Sequence, residues 1–113
     1  MIALPTSLPN EYKTAIAHIV ERLAQEYRPE KIILYGSCAR GRVRPWSDID
    51  MLIVKRSTSG RRIDRTREVS RLFPERRIPF EPLVLTPEEL EARQQDLFIS
   101  DILREGKELY AQG

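Results

Sequence analysis

The sequence predicts an α/β (α+β) fold in which helices pack on a small β-sheet. Three observations carry that prediction. Short apolar runs rich in branched residues stand at 31–35, 49–54 and 80–85. Stretches of helical spacing lie between and around them, and proline, glycine or a capping pattern marks several of the junctions.

The elements follow in order. Tyr12, Ile16, Ile19, Val20, Leu23 and Tyr27 recur at helical spacing, which predicts an amphipathic helix over Asn10 to Tyr27. Arg28-Pro29 ends it, because a residue before proline is pushed out of the helical region. Lys31 to Tyr35 reads as a buried strand, and Ser37 to Arg40 as at most one short helix that Gly41 can close. Ile49 to Val54 is a second strand. Gly60 to Phe73 is a charged helix whose Ile63, Val69, Leu72 and Phe73 are expected to face inward. Phe80 to Leu85 is a third strand; Pro82 has no N–H to give a ladder and points to an edge position or a bulge. Thr86-Pro87-Glu88-Glu89 is a helix start, with a threonine N-cap, proline at the first position and glutamate at the third. The helical region runs to Glu105, with a break near Gln94-Gln95, and Gly106 stops it before a terminal strand at Lys107 to Tyr110.

Composition bounds the function classes. At 113 residues the chain is read as one domain, 1–113, with no room for a second. A hydrophobic share of 41% and a charged share of 32% describe an ordinary soluble globular protein. No apolar run approaches the roughly 18 residues of a membrane span, and the first ten residues do not read as a secretory signal. A single cysteine, Cys38, excludes an internal disulfide and fits a reducing cytoplasm. The net charge of +2 does not by itself call for nucleic acid. The basic residues are uneven, however: Arg56, Arg61, Arg62, Arg65, Arg67, Arg71 and Arg76 face only Asp64, Glu68 and Glu75. A solvated helix face is the first reading, and a phosphate- or partner-facing patch the second.

The chemistry starts at Gly36-Ser37. A strand that runs through Gly-Ser into a helix brings backbone N–H groups and a hydroxyl to one point, an arrangement that can hold phosphate but that, taken alone, reads first as a plain helix cap. Asp48 and Asp50 sharpen the reading. Residues two apart in a strand share a face, with Cα atoms roughly 7 Å apart. Two carboxylates so placed repel unless a cation lies between them, and hard divalent ions such as Mg²⁺ favour such ligands. Glu81, in a strand otherwise without charge, is the candidate third carboxylate if its strand neighbours theirs. Trp46 stands in the loop beside the site, where stacking on a base and covering the loop are equal readings. His18 reads as a partly buried structural residue of the first helix rather than a ligand.

Gly36-Ser37 with Ala39-Arg40-Gly41, followed by Ser47-Asp48-Ile49-Asp50, resembles the signature of the polymerase-beta-like nucleotidyltransferases. The likeness is to their smallest members, the minimal nucleotidyltransferases. "PEKIILYGSCARG" and "SDIDMLIV" carry its specific part, and "LTPEEL" and "ILREGKELY" extend it over nearly the whole chain. The resemblance implies a small mixed β-sheet of the polymerase-beta-like fold. It implies that Gly36 and Ser37 bind a nucleoside triphosphate, with Arg40 and Ser47 beside them. It implies further that Asp48, Asp50 and Glu81 are catalytic and hold two Mg²⁺ ions. Arg40 and Arg44 can add positive charge near the phosphates, but they read first as solvated loop residues.

The reaction the resemblance implies is attack of a hydroxyl on the α-phosphorus of ATP, with pyrophosphate leaving. Minimal members commonly pair with a helical HEPN-type toxin and add AMP to its tyrosine, so an adenylyltransferase antitoxin is the first expectation. A non-catalytic antitoxin module, and transfer to a small molecule or an RNA end, are the alternatives. Nucleic acid is the less favoured partner, a membrane is not expected, and homo- or hetero-oligomer formation stays open. Two departures stand out. The family usually has aspartate where this chain has Glu81 followed by Pro82, and Cys38 occupies a position where many relatives carry arginine. A ligand displaced by about 1 Å can cost on the order of a hundredfold in rate.

Overall fold

The computed structural model describes residues 4–58, 60–75 and 77–112. Helix α1, Asn10–Arg22, buries Tyr12, Ile16, Ile19 and Val20. The expected helix continues through Leu23–Tyr27, but as a widened π-helical turn. The turn closes where the Arg28 N–H donates to the Leu23 carbonyl over 2.8 Å, five residues back. Arg28 takes the left-handed conformation at φ 55°, so the chain leaves the helix before Pro29.

Strand β1 is Lys31–Tyr35, α2 is Gly36–Arg40 and β2 is Ile49–Val54. Then come α3 (Arg62–Ser70), β3 (Phe80–Leu85), α4 (Pro87–Ala92), α5 (Leu97–Glu105) and β4 (Lys107–Ala111). All four strands form one sheet in the order β3-β2-β1-β4. β1 is antiparallel to β2 and to β4, while β2 and β3 run parallel, so the sheet is mixed. β3 lies at the edge, where the missing N–H of Pro82 costs nothing.

Strand alternation divides the core into two layers. Ile32, Leu34, Ile49, Met51, Ile53, Phe80 and Val84 meet α1 and Val69 of α3 on one face. Ile33, Leu52, Val54 and Leu85 meet Ile99 and Ile102 of α5 on the other. This second layer is much the smaller.

Two expectations for α3 are corrected. Ile63 is 48% exposed, and Arg65 is buried at 3% exposure. Arg65 and Val69 stand four apart and share the inward stripe, whereas Ile63 is rotated away from it. The Arg65 guanidinium donates to both carboxylate oxygens of Glu89, at 2.6 and 3.2 Å, and to the carbonyls of Val84 and Gly60. Glu89 also completes the predicted capping box with Thr86, so one fork ties α3 to the start of α4. Arg56, Arg61, Arg62, Arg67 and Arg71 are exposed, as a solvated face requires; Arg76 lies outside the described residues.

The break near Gln94-Gln95 is real. α4 ends at Ala92, and α5 restarts on Asp96, whose carboxylate accepts from the N–H groups of Phe98 and Ile99. Gly106 stops α5 with an ordinary φ of −69°. Its need for glycine is spatial: a Cβ there would crowd the Ile102 carbonyl and lie 2.5 Å from Ile33 Cγ2.

Candidate active site

The register brings the chemistry together. Tyr35 pairs with Asp50 across β1 and β2, and Asp50 pairs with Glu81 across β2 and β3. Alternation puts all three side chains on the thinly covered face of the sheet, in one row across three strands. Asp48, two residues before Asp50, immediately precedes the strand, near enough for its charge to act on Asp50.

The three carboxylates have no side-chain hydrogen bond or ion pair among the described residues. Burial pushes the Asp50 carboxyl above its ordinary range, and the charges of Asp48 and Glu81 push it further. Repulsion of this kind, left standing in a folded protein, suits a cation. The donor set is all oxygen, as Mg²⁺ prefers. Among the described residues no three His, Cys, Asp or Glu side chains converge closely enough to hold an ion alone. Mg²⁺ commonly takes one or two carboxylates and completes its shell with water and substrate phosphates, so the residues fit the ion together with a nucleotide.

Gly36 joins β1 to α2 beneath this row. Its φ is +75°, and a Cβ on it would lie 2.5 Å from Asp50 Oδ2. Only glycine allows both the left-handed backbone and this approach to the carboxylate. The next hydroxyl, that of Ser37, has no partner among the described residues and is available to a ligand. Gly41 closes α2 in the left-handed conformation at φ 71°, as the sequence predicts.

The loop before Asp48 is held from behind. Ser47 Oγ accepts from the Arg44 N–H at 2.7 Å, and the Tyr12 hydroxyl bonds the carbonyls of Arg44 and Ser47. The side chain of Ser47 therefore closes the turn that presents Asp48. The Cys38 thiol donates to the Asp48 carbonyl at 3.4 Å. Burial, with Asp50 and Asp48 nearby, pushes that thiol up to about 11, so it stays neutral. Arg40 lies at the rim in a loose pair with Glu105, 3.7 Å apart and half exposed. Trp46 is 70% exposed beside the site. His18, expected to be partly buried, is instead exposed on α1, where its ring meets Phe73 edge to face.

Residues 16–109 match the model of the nucleotidyltransferase domain. The chain belongs to that family. A Methanocaldococcus jannaschii protein named "Putative protein adenylyltransferase MJ1305" is 35% identical over 83 residues, or 70% of this chain. The matched stretch spans 56% of that relative's length. A Sulfolobus solfataricus crystal structure, described as "a putative nucleotidyltransferase", is 27% identical and superposes with a TM-score of 0.54. That match covers 74% of this chain and 80% of the other. The fold is thus the mixed sheet and helices of a polymerase-beta-like nucleotidyltransferase domain.

Tyr35 escaped the sequence reading. Burial pushes its hydroxyl up to about 12, with Asp50 and then Glu81 adding to the effect. The missed signal is the alternation of Ile33 and Tyr35, which already sets the tyrosine on the face opposite Leu34.

Proposed function

We propose that this nucleotidyltransferase acts as a single minimal domain and moves AMP from ATP to the hydroxyl of a tyrosine on a HEPN-type helical partner, silencing it as an antitoxin. The observation that carries the reading is Asp50: a partly buried carboxylate, unpaired, flanked by Asp48 and Glu81 and pressed against the glycine of the phosphate turn. The relative named as a protein adenylyltransferase supports a protein acceptor.

Asp48, Asp50 and Glu81 would hold Mg²⁺, and the bound ions would supply neutralisation of phosphate charge and a lower pKa at the acceptor hydroxyl. The chain's own residues do the rest. Gly36 lets the phosphates approach the backbone, and Ser37 donates to a phosphate oxygen. Glu81, at the exposed end of the row, takes the proton of the attacking hydroxyl. The hydroxyl oxygen bonds to the α-phosphorus as the bond to the bridging oxygen breaks, and pyrophosphate leaves.

The test incubates the chain, labelled ATP and Mg²⁺ with the co-purified helical partner, and follows the partner's intact mass. An added AMP on a tyrosine is expected from wild type. Glu81→Gln is expected to bind Mg-ATP but to lose at least a hundredfold in transfer, on the order of a general base's contribution. Equal transfer by both proteins would remove Glu81 from the chemistry. Tight binding without transfer to the partner would favour a non-catalytic antitoxin, and transfer with no protein present a small-molecule or RNA acceptor.

A further inference from the structure

We propose that the cleft between α5 and the ends of β1 and β2 is a nucleobase site, with Phe98 as its stacking platform and Asp101 as the acceptor of a base amino group. The proposal rests on the nucleotide-transfer reading above. The cleft has a volume of about 260 Å³ and opens at Gly36 and Asp50, where the phosphate turn meets the carboxylates. Cavities that take whole drug-sized ligands run from about 300 to 1,000 Å³. This one suits a single base attached to phosphates held outside it.

The packing of α5 sets its lining. Ile99 and Ile102 are buried on the sheet, so Phe98, Asp101 and Glu105, at helical spacing, run along the neighbouring stripe and face the cleft. Asp96 caps the helix and fixes where that stripe begins. Phe98 meets Tyr35 edge to face with ring centroids 5.7 Å apart, yet remains 54% exposed. A large aromatic left open beside a reactive centre forgoes favourable burial, which a stacked base would restore.

The polar wall is mainly one of acceptors. Asp101 Oδ1 accepts from Arg104 at 2.6 Å, which leaves Oδ2 for a ligand, and Glu105 is only loosely held by Arg40. Adenine offers an amino donor to such a wall and ring nitrogens to Arg40. Uracil presents two carbonyls around its one N–H, and carboxylates disfavour them. The occupant is therefore an amino-bearing base such as adenine rather than uracil.

Calorimetry with Mg²⁺ and, separately, ATP, UTP and inorganic triphosphate reads the base and phosphate contributions apart. Phe98→Ala is expected to weaken ATP about ten- to a hundredfold, the range of one lost base–aromatic stack, and to leave inorganic triphosphate unchanged. Asp101→Asn is expected to narrow the preference for ATP over UTP. ATP binding that Phe98→Ala does not alter, or that falls in parallel with inorganic triphosphate, overturns the base site while the transfer reading stands. A wild-type chain that binds none of the three overturns both.

Discussion

Replacing Gly36 with alanine tests the centre of the site with one methyl group. The backbone there sits at φ +75°, where a Cβ costs about 1–2 kcal/mol against the following carbonyl. The same Cβ would lie 2.5 Å from Asp50 Oδ2, so the carboxylate must turn. A side chain forced about 30° off its rotamer costs roughly 0.5–1.5 kcal/mol. The sum is about 1.5–3.5 kcal/mol, which for a domain of this size lowers the melting temperature by roughly 10 °C. Urea unfolding gives the stability loss, and a cycle with Asp50→Ala separates its parts. In the Asp50→Ala background the rotamer cost should vanish and only the backbone cost remain. Mg-ATP affinity of Gly36→Ala should fall steeply, because the displaced carboxylate and the filled approach both oppose the ligand. A loss below about 0.5 kcal/mol, the range of an ordinary surface change, would refute the argument, as would strict additivity with Asp50→Ala.

Asp50→Asn should remove the repulsion within the carboxylate row. Because the folded carboxyl lies above its unfolded range, its stabilising effect is complete in acid and is lost as pH rises through the folded value. The variant should thus unfold at a higher temperature than wild type near pH 7 and match it below the ordinary carboxylate range. Its Mg-dependent ATP binding should drop by more than the roughly ten- to hundredfold that losing a metal ligand's outer partner costs. Glu89→Gln takes a carboxylate away from the buried Arg65 guanidinium and should cost about 3 kcal/mol, measured by urea unfolding at neutral pH. Arg65, through its hydrogen bond, holds the Glu89 carboxyl down to about 2. That stabilisation is present above the ordinary carboxylate range and is lost as pH falls through about 2, so the gap between Glu89→Gln and wild type should close in acid.

Local physics made most of the elements legible. The strands at Lys31–Tyr35, Ile49–Val54 and Phe80–Leu85 have the predicted limits, since branched apolar runs between breakers have few other conformations. Thr86 and Glu89 specify their helix start through bonds three residues apart, and Gly41 its helix end through one dihedral. The spacing of Asp48 and Asp50, with Gly36-Ser37 upstream, pointed to the phosphate and cation chemistry of the family.

Tertiary structure decided which of these features meet. Sequence spacing cannot set the register between strands, yet register alone puts Tyr35, Asp50 and Glu81 in one row. Nor could spacing show that Gly36 is glycine on account of Asp50, fourteen residues away. Arg65 looked like one more arginine on a charged helix. Only its partners from β3 and α4 turned a residue expected in solvent into a buried fork. Phe98 and Asp101 gave no signal at all, because a cleft belongs to the packing of α5 against β1 and not to either segment. Short-range bonds and alternation are written into neighbouring residues; a site made across strands and helices exists only once the chain has closed on itself.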